Sequence, residues 1–159
     1  MLFRSDASTP TSIEVAATLF PLEEIVRGVA GASLGSTVHL VHVVPPGQAA
    51  HDVEPTPQQL EALASADVVL YLGNGFQPSI EEAVATLSDD VTVVDLLDAV
   101  EVLPVTDPVA GEASTDNAHP DGAADPHVWL SPDRMAAMAS AAASVIEQRL
   151  QQEIGRAHV

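Results

Sequence analysis

The sequence predicts an α/β fold, a parallel four-stranded sheet flanked by helices. Three observations predict it. Four short segments are nearly continuous runs of Val, Ile and Leu, the composition of strands buried on both faces. Between them stand segments with helical start and stop signals. The alternation of strand and helix leaves parallel pairing with right-handed crossovers as the simplest topology.

The elements follow in order. Ile13–Phe20 (IEVAATLF) is apolar and β-rich, so it is the first strand. The helix after it has Pro21 in its first turn and Gly31 as its stop. Thr37–Pro46 is the second strand and runs into a Pro-Pro-Gly turn. Thr56–Ala66 is a helix with a well-defined start: Thr56 as N-cap, Pro57 at the first helical position and Gln59 as capping-box partner. Asp67–Gly75 is a strand ending in a Gly-Asn-Gly turn. The segment SIEEAVATLS is a helix, with Ser79 and Glu82 expected as its capping box. Val91–Leu97 is the fourth strand.

The pattern lapses over residues 99–124, an acidic stretch rich in Pro, Gly, Asp, Ala and Ser that reads as a long variable loop. Order returns at DPHVWLSPDRMAAM, where Ser131 is expected to cap a helix with Pro132 first and Asp133 at its positive end. The division expected is a polar leader over 1–12, one lobe over 13–130 and a helix over 131–152. Residues 153–159, EIGRAHV, match one reading frame of a common sequencing adapter. They are expected to be artefact, and His158 is set aside as a ligand. The helix before them is expected to leave an apolar face around Met135, Met138 and Val145 with nothing to pack on.

Composition narrows the function. At 159 residues and 47% hydrophobic there is material for one domain with a sizeable core. Five arginines and no lysine oppose 23 carboxylates, a net charge of −18. Such a surface repels nucleic acid and anionic lipid. It attracts cations weakly, although a solubility or salt-adapted surface has the same composition. Without cysteine there are no disulfides, thiolate metal sites or cysteine nucleophiles. No apolar run approaches the ~18 residues of a membrane span, and the first residues lack a signal peptide's apolar stretch. Either the protein is cytosolic or the start of the gene is missing.

The histidines divide into two kinds. His39 and His42 lie three apart on one strand, so their side chains leave on opposite faces and read as structural. His119, in the acidic stretch, reads as a solvated loop residue. His51 and His127 each follow a strand or loop ending and precede a proline-initiated helix. Both would sit beyond the carboxyl ends of the strands, where parallel sheets bind ligands. Two neutral imidazoles with carboxylates nearby suit zinc, or manganese with more oxygen donors. Asp125 or Glu54 could orient them from a second layer.

The stretches VAATLFPLEEIVRGVAG, VVPPGQAAHDVEPTPQQLEALASADVVLYLGNGFQPSIEEAV and DPHVWLSPDRMAAMA, in this order from about Val15 to Ala139, resemble the zinc/manganese class of solute-binding proteins of ABC importers. The resemblance implies one lobe of a two-lobe binding protein whose metal lies between the lobes. It implies His51 and His127 as the first two of four metal ligands. It implies extracytoplasmic capture of Zn²⁺ or Mn²⁺ as transported cargo, an ABC permease as partner, and no enzymatic activity. The other two ligands belong to a second lobe. The chain is therefore expected to be a fragment, with the signal sequence or lipoprotein anchor in a missing start. The alternatives are a small metal-dependent α/β hydrolase and a surface adhesion domain without metal. H-E-x-x-H, G-x-S-x-G and P-loop motifs do not occur.

Overall fold

A computed structural model of the chain describes residues 11–44, 53–102 and 127–156. Its four strands are β1 (Ile13–Ala17), β2 (Val38–His42), β3 (Val68–Tyr71) and β4 (Thr92–Asp95). They form one sheet in the order β2-β1-β3-β4, every pairing parallel. The helices are α1 (Phe20–Ala30), α2 (Pro57–Ser65), α3 (Pro78–Val84) and α4 (Pro132–Arg156). The parallel α/β lobe expected from the sequence is therefore the architecture found.

Alternation along each strand divides the core in two. Ile13, Val15 and Ala17 of β1 and Val68 and Leu70 of β3 pack with Leu22, Ile25 and Val26 of α1 and Met138, Ala142 and Ile146 of α4. Ala16 and Val69 point the other way, toward Leu63 of α2 and Ile80 and Val84 of α3. The inner strands β1 and β3 are thus buried on both faces, as their sequences require. The edge strands are not: β4 is only half-buried and Val93 is exposed.

The chain leaves β1 for β2 on one side and returns to place β3 on the other. The carboxyl ends of β1 and β3 therefore flank a topological switch point, where open α/β sheets leave a crevice. The strands are shorter than the sequence suggests. β1 ends at Ala17 because Leu19 already accepts the first helical bonds, from the amides of Leu22 and Glu23.

The capping box of α2 is present: the Thr56 hydroxyl accepts from the Gln59 amide and the Gln59 side chain accepts from the Thr56 amide. For α1, Pro21 lies in the first turn and Gly31, at φ 51°, ends the helix. Two expectations are corrected. The start of α3 is Gln77–Pro78 rather than Ser79, and Glu81, not Glu82, reaches back to it. Pro78 presets the helical φ, which fixes the first turn two residues earlier. The apolar face of α4 is not bare either. Met138 is fully buried, and Met135 and Val145 pack against the same core, because α4 runs back beside α1 across the sheet. Residues 131–152 are helical apart from Ser131, and the helix continues to Arg156.

Polar groups lock α4 to the amino edge of the sheet. The Arg149 guanidinium donates to Asp67 at 2.8 Å, and the other oxygen of Asp67 accepts from the Glu14 amide at 2.8 Å. One carboxylate thereby joins β1, the start of β3 and the helix.

Candidate metal centre

The carboxyl edge is organised around the turn after β3. Asn74 and Gly75 take left-handed backbone conformations, φ 60° and 77°. Three amides of this turn donate to carboxylates: Gly73 to Asp95 at 3.0 Å, and Gly75 and Gln77 to the two oxygens of Glu81 at 3.2 Å each. Asp95 also accepts from the Leu97 amide. A methyl at Gly73 would collide with the Asp95 carboxylate, so the close approach demands glycine. Across the switch point, the buried Thr18 hydroxyl donates to the Gln77 side chain at 2.8 Å, and Gln77 donates back to the Thr18 carbonyl.

His127 lies on this turn. It precedes a short 3-10 turn, Val128–Leu130, and is exposed. Its ring meets Phe76 edge-on, with centroids 6.1 Å apart and planes at 73°, and Trp129 at 5.1 Å. Phe76 and Trp129 also touch, at 5.7 Å. Burial first, then the carboxylates of Asp95, Glu81 and Asp98, push the Tyr71 phenol above its ordinary value.

His51 lies outside the described residues, as do His119 and Asp125. The flanks of the stretch carrying His51 are described. Before it, the Val43 amide donates to Ala17 and the Val43 carbonyl accepts from the Gln59 side chain. After it, Val53 is buried and the Glu54 carboxylate accepts from the Ser79 hydroxyl at 3.1 Å. Glu54 therefore holds a helix start. A cavity of about 440 Å³ is lined from both flanks, by Val43 and His42 on one side and Glu54 and Thr56 on the other.

Of the β2 histidines, His42 has a partner within the lobe. His42 Nδ1 lies 2.8 Å from the buried Glu23 carboxylate, which also faces Arg27. His39 pairs in register with Glu14 on β1. Among the described residues, no three His, Asp or Glu side chains are close enough to hold a metal ion together.

The sequence reading missed Phe76, Glu81, Asp95 and the Thr18–Gln77 pair. Only the Gly-Asn-Gly turn pointed to the first. The rest depend on which strands become neighbours, since Thr18 and Gln77 are 59 residues apart.

Comparison with known proteins supplies a family. The model of the family described as zinc-uptake complex component A, periplasmic (ZnuA), matches residues 15–152. A putative metal-binding protein of Treponema pallidum (strain Nichols) is 30% identical over 134 residues, covering 78% of this chain and 40% of that protein. The manganese-binding lipoprotein MntA of Halalkalibacterium halodurans is 32% identical over 109 residues, covering 69% of this chain and 30% of its own length. The chain thus spans 30–40% of the length of these relatives. Among solved structures, ZnuA superposes with a TM-score of 0.66 at 21% identity, over 92% of this chain and 56% of that one. The periplasmic zinc-binding protein TroA from Treponema pallidum gives 0.64 at 22%, over 92% and 49%. At these identities the superpositions establish a shared fold.

Proposed function

From the premise that the chain belongs to the ZnuA family of periplasmic metal-uptake components, we propose that it is the first lobe of an extracytoplasmic binding protein. That protein captures Zn²⁺ or Mn²⁺ as cargo and delivers it to an ABC permease. His51 and His127 are its two ligands from this lobe. The mechanism is coordination and release, with no bond made or broken in the cargo, so the protein is no enzyme. The family match favours this reading over the hydrolase and adhesion alternatives.

One observation carries the ligand pair: the anchors of both histidines meet at the start of α3. His127 rests on Phe76, two residues before Pro78. His51 stands two residues before the buried Val53, and Glu54 is bonded to Ser79 in the first turn of that helix. From Glu54 to His51 is three residues, at most roughly 10 Å of extended chain, a tether that leaves His51 within reach of the segment that supports His127. Rings of two ligands on one zinc, each ~2.0–2.1 Å from the ion, approach to roughly 3–5 Å, which such a tether permits. The remaining ligands come from outside this lobe and set the metal: more imidazole selects zinc, more carboxylate selects manganese.

Zinc titration of the chain in competition with a chromophoric chelator tests the pair. His51→Ala and His127→Ala should each weaken binding by more than about tenfold, because even losing an outer partner of a ligand costs roughly 10–100-fold. His39→Ala should leave the affinity unchanged. Parent affinity in His51→Ala would refute the assignment.

A further inference from the structure

We infer that Phe76 is a positioning residue for His127, and that Glu81 and Asp95 are the groups that fix Phe76; the inference rests on reading His127 as a metal ligand. The exposed imidazole sits on a short turn, and such a ring sweeps through many orientations unless something restrains it. Two rings restrain this one. Trp129 is near in sequence and moves with the same turn. Phe76 comes from a different element, 51 residues away in the chain, and closes a triangle of rings with Trp129. It is only 3% exposed, so its ring is held by the core and cannot follow the imidazole outward. The 73° edge-on contact is directional, because the positive edge of one ring prefers the negative face of the other. A ligand held in one orientation before the ion arrives loses less freedom on binding, and that raises affinity.

The platform is itself clamped. The amides of Gly73, Gly75, Phe76 and Gln77 all have acceptors: Asp95, Glu81, the Gly73 carbonyl and Glu81 again. The Gln77 side chain is tied to Thr18 in both directions. The turn is thus fastened to β1, to the end of β4 and to α3 at once. Phe76 lies between the two residues that Glu81 holds, so loss of that carboxylate frees the backbone on both sides of it.

The test uses the whole chain and the variants Phe76→Leu, Glu81→Ala, Glu81→Gln and His127→Ala. Three quantities are measured: the melting midpoint, zinc affinity by chelator competition, and the His127 ring-proton shifts of the metal-free chain. Leucine keeps an apolar side chain in the core and removes the ring edge. Phe76→Leu should therefore melt near the parent, move the His127 ring shifts toward those of free histidine, and weaken zinc about tenfold or more. Glu81→Ala should do the same through the backbone. Glu81→Gln, which keeps an acceptor oxygen, should recover part of the affinity. If His127→Ala abolishes binding while both Phe76→Leu and Glu81→Ala bind zinc like the parent, the positioning role is wrong and the ligand assignment stands. If His127→Ala itself binds like the parent, the ligand assignment is wrong and the inference falls with it. Unchanged His127 shifts in Phe76→Leu would overturn the role without reference to metal.

Discussion

The two edges of the sheet treat charge in opposite ways. At the amino edge, Asp67 answers the Glu14 amide with one oxygen and Arg149 with the other, and the arginine closes the gap between helix and sheet. Charge there is consumed in joining elements. At the carboxyl edge, Asp95 and Glu81 spend their oxygens on the amides of a turn, and the product is an exposed histidine on an aromatic base. Phe20, 62% exposed, and Leu130, 75% exposed, lie at the start of α1 and next to the start of α4, the ends that face this edge. One edge is finished within the chain. The other keeps apolar side chains and an imidazole outward. The difference teaches where a mutation should damage folding and where it should damage binding.

The largest effect should come from breaking the amino edge. Asp67→Ala leaves the largely buried Arg149 with Glu153, 3.4 Å away, in place of the closer pairing at 2.8 Å, and should cost about 2 kcal/mol in chemical denaturation, at unchanged zinc affinity. Arg149→Met should cost less, because it removes the buried charge itself and leaves Asp67, a quarter exposed, with the Glu14 amide and solvent. The Arg149 Nε has no hydrogen-bond partner among the described residues in any case. The reverse order of the two would mean that the guanidinium stabilises by more than answering Asp67. Next is Gly73→Ala, where the new methyl meets the Asp95 carboxylate. It should cost about 2 kcal/mol, as overpacking does, and also lower zinc affinity. A loss of stability alone would separate the turn from the site and break the contrast between the edges.

The smallest effect concerns pH. The Tyr71 phenol is raised by burial and by Asp95, Glu81 and Asp98. A raised folded-state pKa means that the unfolded chain loses this proton first. The stability tied to the neutral phenol is complete below pH ~10, the ordinary tyrosine value, and is lost as pH climbs from there through the folded value. Tyr71→Phe should flatten the decline of stability in that alkaline window and leave neutral pH untouched. An unaltered slope would show that the carboxylates do not act on this edge.

Much of the fold is legible in the sequence because it rests on local rules. The Thr-Pro-Gln-Gln start of α2 forms the capping box that its spacing demands, and the Val-rich runs become the buried strands. Legibility ends where the answer depends on neighbours. Nothing in SIEEAV tells Glu82 from Glu81, because the choice depends on where Pro78 starts the helix and on which amides of the preceding turn remain unpaired. The apolar face of α4 looks bare until α1 is placed beside it. At the candidate site, the motif singles out His127 for attention, whereas Phe76 is one apolar residue among many until β3 delivers it beneath the imidazole. The strand pattern marks His42 as structural without showing its partner. Glu23, on a different helix, is what gives His42 a partner in the fold.

The central claim is that His51 and His127 bind one ion together. A zinc titration followed by nitrogen–proton correlation of ¹⁵N-histidine-labelled chain tests it most directly. The account predicts that the ring nitrogens of His51 and His127 shift together, with one half-saturation point, while His39 and His42 stay in place. A response of His127 without His51, or a shift of His42 as large as theirs, would contradict it.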